Sequence, residues 1–191
     1  MTVLHPRRTA LVLIDLQAGI TAMPCQPYDS AAVVAVGRDL AGRFRAAGAP
    51  VVLVRVAFAA DFADAPSQPV DQPVPRPAGG LPAGWSDLMP GLAQPGDLLI
   101  TKHQWGAFWG TDLDLQLRRR GVETIVLAGI ATSFGVESTA RQAWEMGYGL
   151  YVAEDGCSNT GPAELHDLAF RHVFPRLGRV VRSADLTFAA A

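Results

Sequence analysis

Lysine is nearly missing from this chain of 191 residues: of its 16 basic residues all are arginine except Lys102. Lysine is therefore not serving as general surface charge. An arginine is a planar fork that stays protonated, whereas a lysine is a point charge whose pKa moves readily on burial. Drift of composition toward arginine would leave the same count, but Lys102 closes the apolar run that starts Leu98-Leu99-Ile100, where an ammonium can meet a carboxylate or a reacting group. Cysteine is scarce too. Cys25 and Cys157 are too few and too far apart for a disulfide framework or a CxxC metal site, which predicts a reduced, cytoplasmic setting. The formal net charge of −2 gives no electrostatic reason to expect nucleic acid or an anionic membrane as partner. No apolar stretch approaches the ~18–20 residues of a membrane helix. Arg7-Arg8 with Thr9–Ile14 briefly resembles a secretion signal, but Asp15 cuts that run short of the ~7–15 residues such a core needs. Pro24 before Cys25 also suits a lipoprotein processing site poorly, so no targeting segment is expected.

Hydrophobic residues make up 49% of the chain and charged ones 18%, the balance of a globular protein. The length suits a single domain over residues 1–191. Short apolar runs alternate with helical patterns, the signature of an α/β domain with a mostly parallel sheet. The predicted strands are Ala10–Ile14, Val51–Val56, Leu98–Thr101, Thr124–Ala128, Leu150–Ala153 and Arg179–Val181, buried because they do not alternate with polar residues. Val33, Val36, Leu40 and Phe44 mark one helix face, and Val136, Ala140 and Ala143 a second. Leu165, Leu168, Ala169, His172 and Val173 mark a third, on which His172 reads as structural. Gly48, Gly121 and Gly147 stand where helices end. Residues 59–97, rich in Pro and Gly, predict a lid, a binding loop or a long ordered connection.

Ligands of parallel α/β sheets bind beyond the carboxyl ends of the strands. Three ends here carry suitable residues: Asp15 and Gln17 after the first run, Lys102 after the third, and the turn Gly129-Ile-Ala-Thr-Ser-Phe-Gly135 after the fourth. That turn leads into a helix N-terminus, whose free N–H groups suit an anion or a developing oxyanion.

At these residues the chain resembles the isochorismatase-like hydrolase superfamily. The matching segments are Leu11–Gln17, Lys102–Phe108 with Thr111 and Leu113, Gly129–Thr132, Val136–Arg141 and Glu154–Cys157, in order and over nearly the whole chain. The resemblance implies a three-layer α/β/α sandwich, Rossmann-like, with a six-stranded parallel sheet in order 3-2-1-4-5-6. It also implies a cis peptide at Ile130–Ala131 that aims backbone N–H groups into the pocket, a homodimer or homotetramer, and a small-molecule substrate. Most members are cysteine hydrolases with an Asp-Lys-Cys triad. Asp15 and Lys102 match its first two positions, while Gly135 occupies the place of the nucleophile. Cys157 matches a position outside the triad.

Thiol-based amide hydrolysis stores the acyl group on sulfur, and deleting such a nucleophile costs on the order of a million-fold in kcat. Vinyl ether hydrolysis needs none: an acid protonates the enol carbon and water adds to the oxocarbenium. In this reading protonated Asp15 is the acid, Lys102 binds a substrate carboxylate, and the N–H groups of Ala131 and Gly135 orient ligand or water. A lysine ~4 Å away favours the carboxylate by a few kcal/mol, and desolvation opposes it. Gln17 binds within the site or ties loops together. Trp105, Phe108 and Trp109 line a pocket or the core, and Ser133 contacts substrate or caps the helix. Asp61 and Asp64 have no histidine near them, so neither metal nor cofactor is expected. Two other readings stay open: a non-catalytic small-molecule binding protein, and a cysteine hydrolase using Cys157.

Overall fold

The structure, a computed structural model, describes residues 1–189. In chain order its elements are β1 (Thr2–Leu4), β2 (Thr9–Ile14), α1 (Ala18–Thr21), α2 (Ser30–Ala46), β3 (Val51–Val56), β4 (Leu98–Lys102), α3 (Leu113–Arg119) and β5 (Thr124–Ile130). They continue as α4 (Glu137–Glu145), β6 (Gly149–Ser158), α5 (Ala163–Leu168), α6 (Phe174–Leu177), β7 (Arg179–Val181) and β8 (Leu186–Phe188). Wide π-type turns at Thr132–Val136 and Ala169–Val173 enter α4 and join α5 to α6.

Six strands form one parallel sheet, β4-β3-β2-β5-β6-β7, the 3-2-1-4-5-6 order of an α/β/α sandwich. Its centre is apolar because helices cover both faces of such a sheet. All six residues of β2 are buried, as are Ile125–Ile130 of β5. The helix α2 turns Val33, Val34, Leu40, Ala41 and Phe44 to the core and packs on β2, β5 and β6. Asp29 starts that helix by accepting the Ala32 N–H at 2.7 Å. Gly48 beyond its end is left-handed, at φ 69°, where a side chain would be strained.

Three features depart from the expectations above. The strands β5 and β6 run on past Ala128 and Ala153, to Ile130 and Ser158. Their register shifts between Leu127 and Gly129, and the polar Glu154-Asp155 pair had masked the continuation. The third helix face is out of phase: His166, Ala169, Phe170 and Phe174 are buried, whereas Leu165 and Leu168 are 40% and 54% exposed. The core face is one residue out of step with the leucines from the start of α5, ahead of the π-type turn at Ala169–Val173, and His172 is exposed. The strands β1 and β8 pair in a separate small parallel sheet, with Phe188 edge-on to Phe44.

The long connection between β3 and β4 is exposed over much of its length but fastened at its far end. Gly19 and Ala18 donate to the carbonyls of Trp85 and Asp87 at 2.9 and 2.8 Å, and Met89 donates to Leu16 at 3.0 Å. A methyl group on Gly19 would overlap the Trp85 indole, so that glycine lets the loop lie against α1. No helix among the described residues is long and apolar enough to cross a membrane.

Candidate active site

Asp15 directly follows β2, and its backbone takes the left-handed conformation, φ 52°. Aspartate tolerates that region better than most residues, but it is uncommon outside glycine and clusters at functional sites. Lys102 ends β4, two strands away in the sheet. Its four-carbon stem reaches across, and Nζ donates to Asp15 Oδ2 at 2.8 Å and to the Gln104 carbonyl at 3.1 Å. Both residues are buried, 1% and 5% exposed. Burial pushes the Asp15 pKa up, the Lys102 ammonium pulls it down through its charge and hydrogen bond, and burial prevails to leave it at about 6. The other carboxyl oxygen, Oδ1, is buried without a hydrogen-bond partner. A bare anionic oxygen so placed is costly, and a proton or a ligand donor would relieve it.

The turn after β5 supplies the third side. The Ile130–Ala131 peptide is cis, and the Ala131 carbonyl accepts from the N–H groups of Phe134 and Val136, each at 3.1 Å. Thr139 Oγ1 donates to the Gly135 carbonyl at 2.7 Å and accepts the Ala107 N–H at 3.1 Å, which binds the turn to the segment after Lys102. Gly135 faces the ion pair. A Cβ there would lie 3.2 Å from Asp15 Oδ2, 3.5 Å from Lys102 Nζ and 2.9 Å from Ile14 Cγ2. A side chain at this position would thus touch both charged groups, and glycine supplies none. Gly129 is required for a different reason. At φ 132°, its Cβ would stand 2.2 Å from the Ile14 carbonyl oxygen, so β2 and β5 could not approach closely enough to bring Asp15 to the turn.

The remaining candidates divide. Ala131 stays with the turn. Ser133 is partly buried beside it, its hydroxyl donating to Asn159 Oδ1 at 2.8 Å and its N–H at 3.2 Å; it does not cap the helix. Trp105 is 57% exposed and meets the 38% exposed Phe134 with ring centroids 4.9 Å apart. That couples the segment after Lys102 to the residue before Gly135. Phe108 does not join it: it is 4% exposed and packs on Tyr148 in the core. Trp109 lies 74% exposed. Gln17 is fully buried and ties loops together, its Oε1 accepting the Val56 N–H at 2.8 Å and its Nε2 donating to the carbonyls of Val56 and Trp85. That use of the amide turns it away from ligand contact.

Asp64 does meet a histidine, contrary to expectation: His103 Nδ1 lies 3.2 Å from Asp64 Oδ2 and 2.7 Å from the Ala57 carbonyl. The partner comes from beyond β4, out of sight of any local pattern. No group of three or more His, Cys, Asp or Glu suited to a metal occurs among the described residues. Cys157 is fully buried in register with Gly129, and burial drives its thiol pKa well up. Sequence reasoning missed the cluster of Thr132, His166 and Glu154 behind the turn, since its members lie far apart in the chain.

The profile of the isochorismatase domain matches residues 9–185. The chain belongs to the isochorismatase family. Other family members are similar over nearly their whole length. YecD of Escherichia coli O157:H7, described as an uncharacterized isochorismatase family protein, is 52% identical over 181 residues, 94% of this chain and 95% of YecD. The solved structure of an isochorismatase family protein from Burkholderia thailandensis superposes with a TM-score of 0.89 at 46% identity, covering 96% and 95% of the two chains. The ureidoacrylate amidohydrolase RutB of Stutzerimonas stutzeri is 31% identical over 212 residues, 96% of this chain and 84% of RutB.

Proposed function

We propose that this isochorismatase-family hydrolase cleaves a small carboxylated substrate by acid catalysis of the vinyl ether type, without an acyl-protein intermediate. The observation that carries the reading is Gly135, facing Asp15 and Lys102 at contact distance with no side chain of its own. Asp15, with a pKa of about 6 and an unpartnered buried oxygen, is suited to hold the proton that an acid must deliver. Lys102 binds the substrate carboxylate, and that second anion beside the ammonium favours the protonated form of Asp15 further. The enol carbon takes the Asp15 proton, the ether oxygen stabilises the cation, and water adds to give a hemiketal. The hemiketal collapses by breaking its C–O bond to the ether oxygen and releases a ketone and an alcohol, the alcohol oxygen taking the hemiketal hydroxyl's proton. The proton lost by the water as it adds returns to Asp15. The N–H groups of Ala131 and Gly135 orient the ligand or the water, while Trp105 at the rim offers an apolar face.

Amide hydrolysis, the activity that RutB's name carries, calls for a nucleophile. Cys157 is a poor substitute for one at position 135, because a thiol buried in the sheet with a raised pKa is neither accessible nor ionised. The test uses isochorismate as probe and measures pyruvate release. Asp15→Asn should lower the rate by ~10²–10⁴-fold, the range for loss of a general acid. An unchanged rate removes Asp15 from the mechanism, and a substrate fragment caught on the protein by mass spectrometry overturns the non-covalent route. In the wild type, kcat/KM should decline as pH rises through about 6, as the acid form is lost.

A further inference from the structure

Thr132 opens the turn that carries Gly135, and its hydroxyl is engaged from behind. Its Oγ1 lies 2.8 Å from His166 Nδ1, with both residues buried. On the far side of the ring, Nε2 lies 3.5 Å from Glu154 Oε1 and has no closer partner. Glu154 is itself held in place. Its Oε1 accepts the Tyr28 hydroxyl at 2.9 Å, and its Oε2 pairs with Arg182 Nη1 at 2.7 Å. The Phe170 ring, 4.5 Å from the imidazole centroid, and the edge-on ring of Tyr28 complete the enclosure. Four separate segments converge on one imidazole.

A neutral imidazole carries one N–H and one lone pair. With the hydrogen on Nδ1, the Nε2 lone pair would face the Glu154 carboxylate, acceptor against acceptor. With the hydrogen on Nε2, that N–H points to Glu154 and Nδ1 is free to accept from Thr132. We infer that His166 is a positioning residue for the 131–136 turn: its hydrogen faces Glu154, its Nδ1 accepts the Thr132 hydroxyl, and the residue that opens the turn is thereby fixed. Protonation of the ring puts a second hydrogen on Nδ1, so the bond to Thr132 must reverse and the turn must readjust. The charged and titratable groups around the ring are Glu154 from β6, Asp167 from α5, Tyr28 ahead of α2, and Arg182 beyond β7, which reaches it through Glu154. Burial depresses the His166 pKa below the ordinary 6.5, against the opposing pull of Glu154 and Asp167. At neutral pH the turn is therefore held, and it changes only in acid. This holds whichever reaction the pocket performs.

Nitrogen-15 NMR of the four histidine rings in the intact protein tests it without a substrate. The expected result is a single Nε2–H tautomer for His166, a titration midpoint below 6.5, and backbone amide shifts of Ser133, Phe134 and Gly135 that follow the same midpoint. In Thr132→Val those amide shifts should stop following while the ring still titrates. In Glu154→Gln the ring should lose its fixed tautomer and its midpoint should fall further. An Nδ1–H tautomer in the wild type, or turn amides that titrate identically in Thr132→Val, would overturn the assignment. Because the tautomer is read on the wild type, a variant that misfolds leaves the inference open to refutation.

Discussion

Two buried titratable groups, Asp15 beside Lys102 and His166 beside the half-buried Glu154, flank the same turn, and they differ in charge type but agree in outcome. On the β2–β4 side, the Asp15 carboxyl touches an ammonium at 2.8 Å and still has its pKa raised. On the β6–α5 side, the His166 ring stands 3.5 Å from a carboxylate and still has its pKa lowered. In each case the nearby opposite charge should favour ionisation, and in each case burial outweighs it. The turn that carries Ala131 and Gly135 thus lies between two groups that burial biases toward their neutral forms. The first pair has Gly135 in front of it, and on that ground it is the proposed centre for chemistry, with the second as its proposed support.

The sharpest way to break this comparison is to remove one partner of the Asp15–Lys102 pair at a time. Asp15→Asn leaves a buried ammonium with no carboxylate opposite it and only neutral acceptors, the Gln104 carbonyl and the amide oxygen of the new side chain. Stranding a buried charge costs about 3–5 kcal/mol, and urea denaturation at pH 7 should show a loss of that order. Lys102→Met is expected to cost distinctly less, because an isolated Asp15 can take up a proton and become neutral. Equal losses from the two variants would mean that burial does not favour the protonated carboxyl.

Acid titration of stability sharpens the same contrast, since the two flanks slope in opposite directions. Between about pH 4 and about 6 the folded chain holds a proton on Asp15 that the unfolded chain has released. Stability attributable to Asp15 therefore falls as pH rises across that window, by up to about 3 kcal/mol for a shift of about two units. His166 acts the other way. Its folded pKa is depressed, so its contribution is present above the ordinary 6.5 and is lost as pH falls through the folded value. Asp15→Asn should abolish the first slope and His166→Asn the second. A chain whose stability curve is unchanged by either variant would show that neither group is perturbed.

How much of this was legible in the sequence depends on the distance over which each signal acts. The sheet could be read because buried parallel strands are continuous apolar runs, and β2 is TALVLI from end to end. Asp15 and Lys102 could be read because each interrupts or closes such a run at a strand end. The family resemblance then supplied the strand order and Gly135. The second flank was hidden. Glu154 and Asp155 look like the end of a strand, and Leu165 and Leu168 imitate a core face while the true face runs through His166, Ala169 and Phe170. Thr132 and His166 have no local pattern that joins them, nor do Asp64 and His103; only the folded chain brings them together. The three-residue strands β1 and β8 are too short to carry a period.

The smallest expected effect comes from filling the vacant position. In Gly135→Cys the new Cβ meets Ile14 Cγ2 at 2.9 Å, a methyl on the stiff β-branched carbon of a buried strand residue that must shift, while Asp15 Oδ2 and Lys102 Nζ stand at 3.2 and 3.5 Å. Gly135 is not among the glycines with positive φ, so the backbone itself tolerates a side chain. The cost should be that of modest overpacking, about 1–3 kcal/mol. The thiol would sit beside an ammonium, which favours the thiolate, and iodoacetamide with peptide mass mapping should find position 135 alkylated well before Cys157. If Cys157 reacted as fast as the new thiol, position 135 would not be the electropositive, reachable site that the proposed chemistry requires.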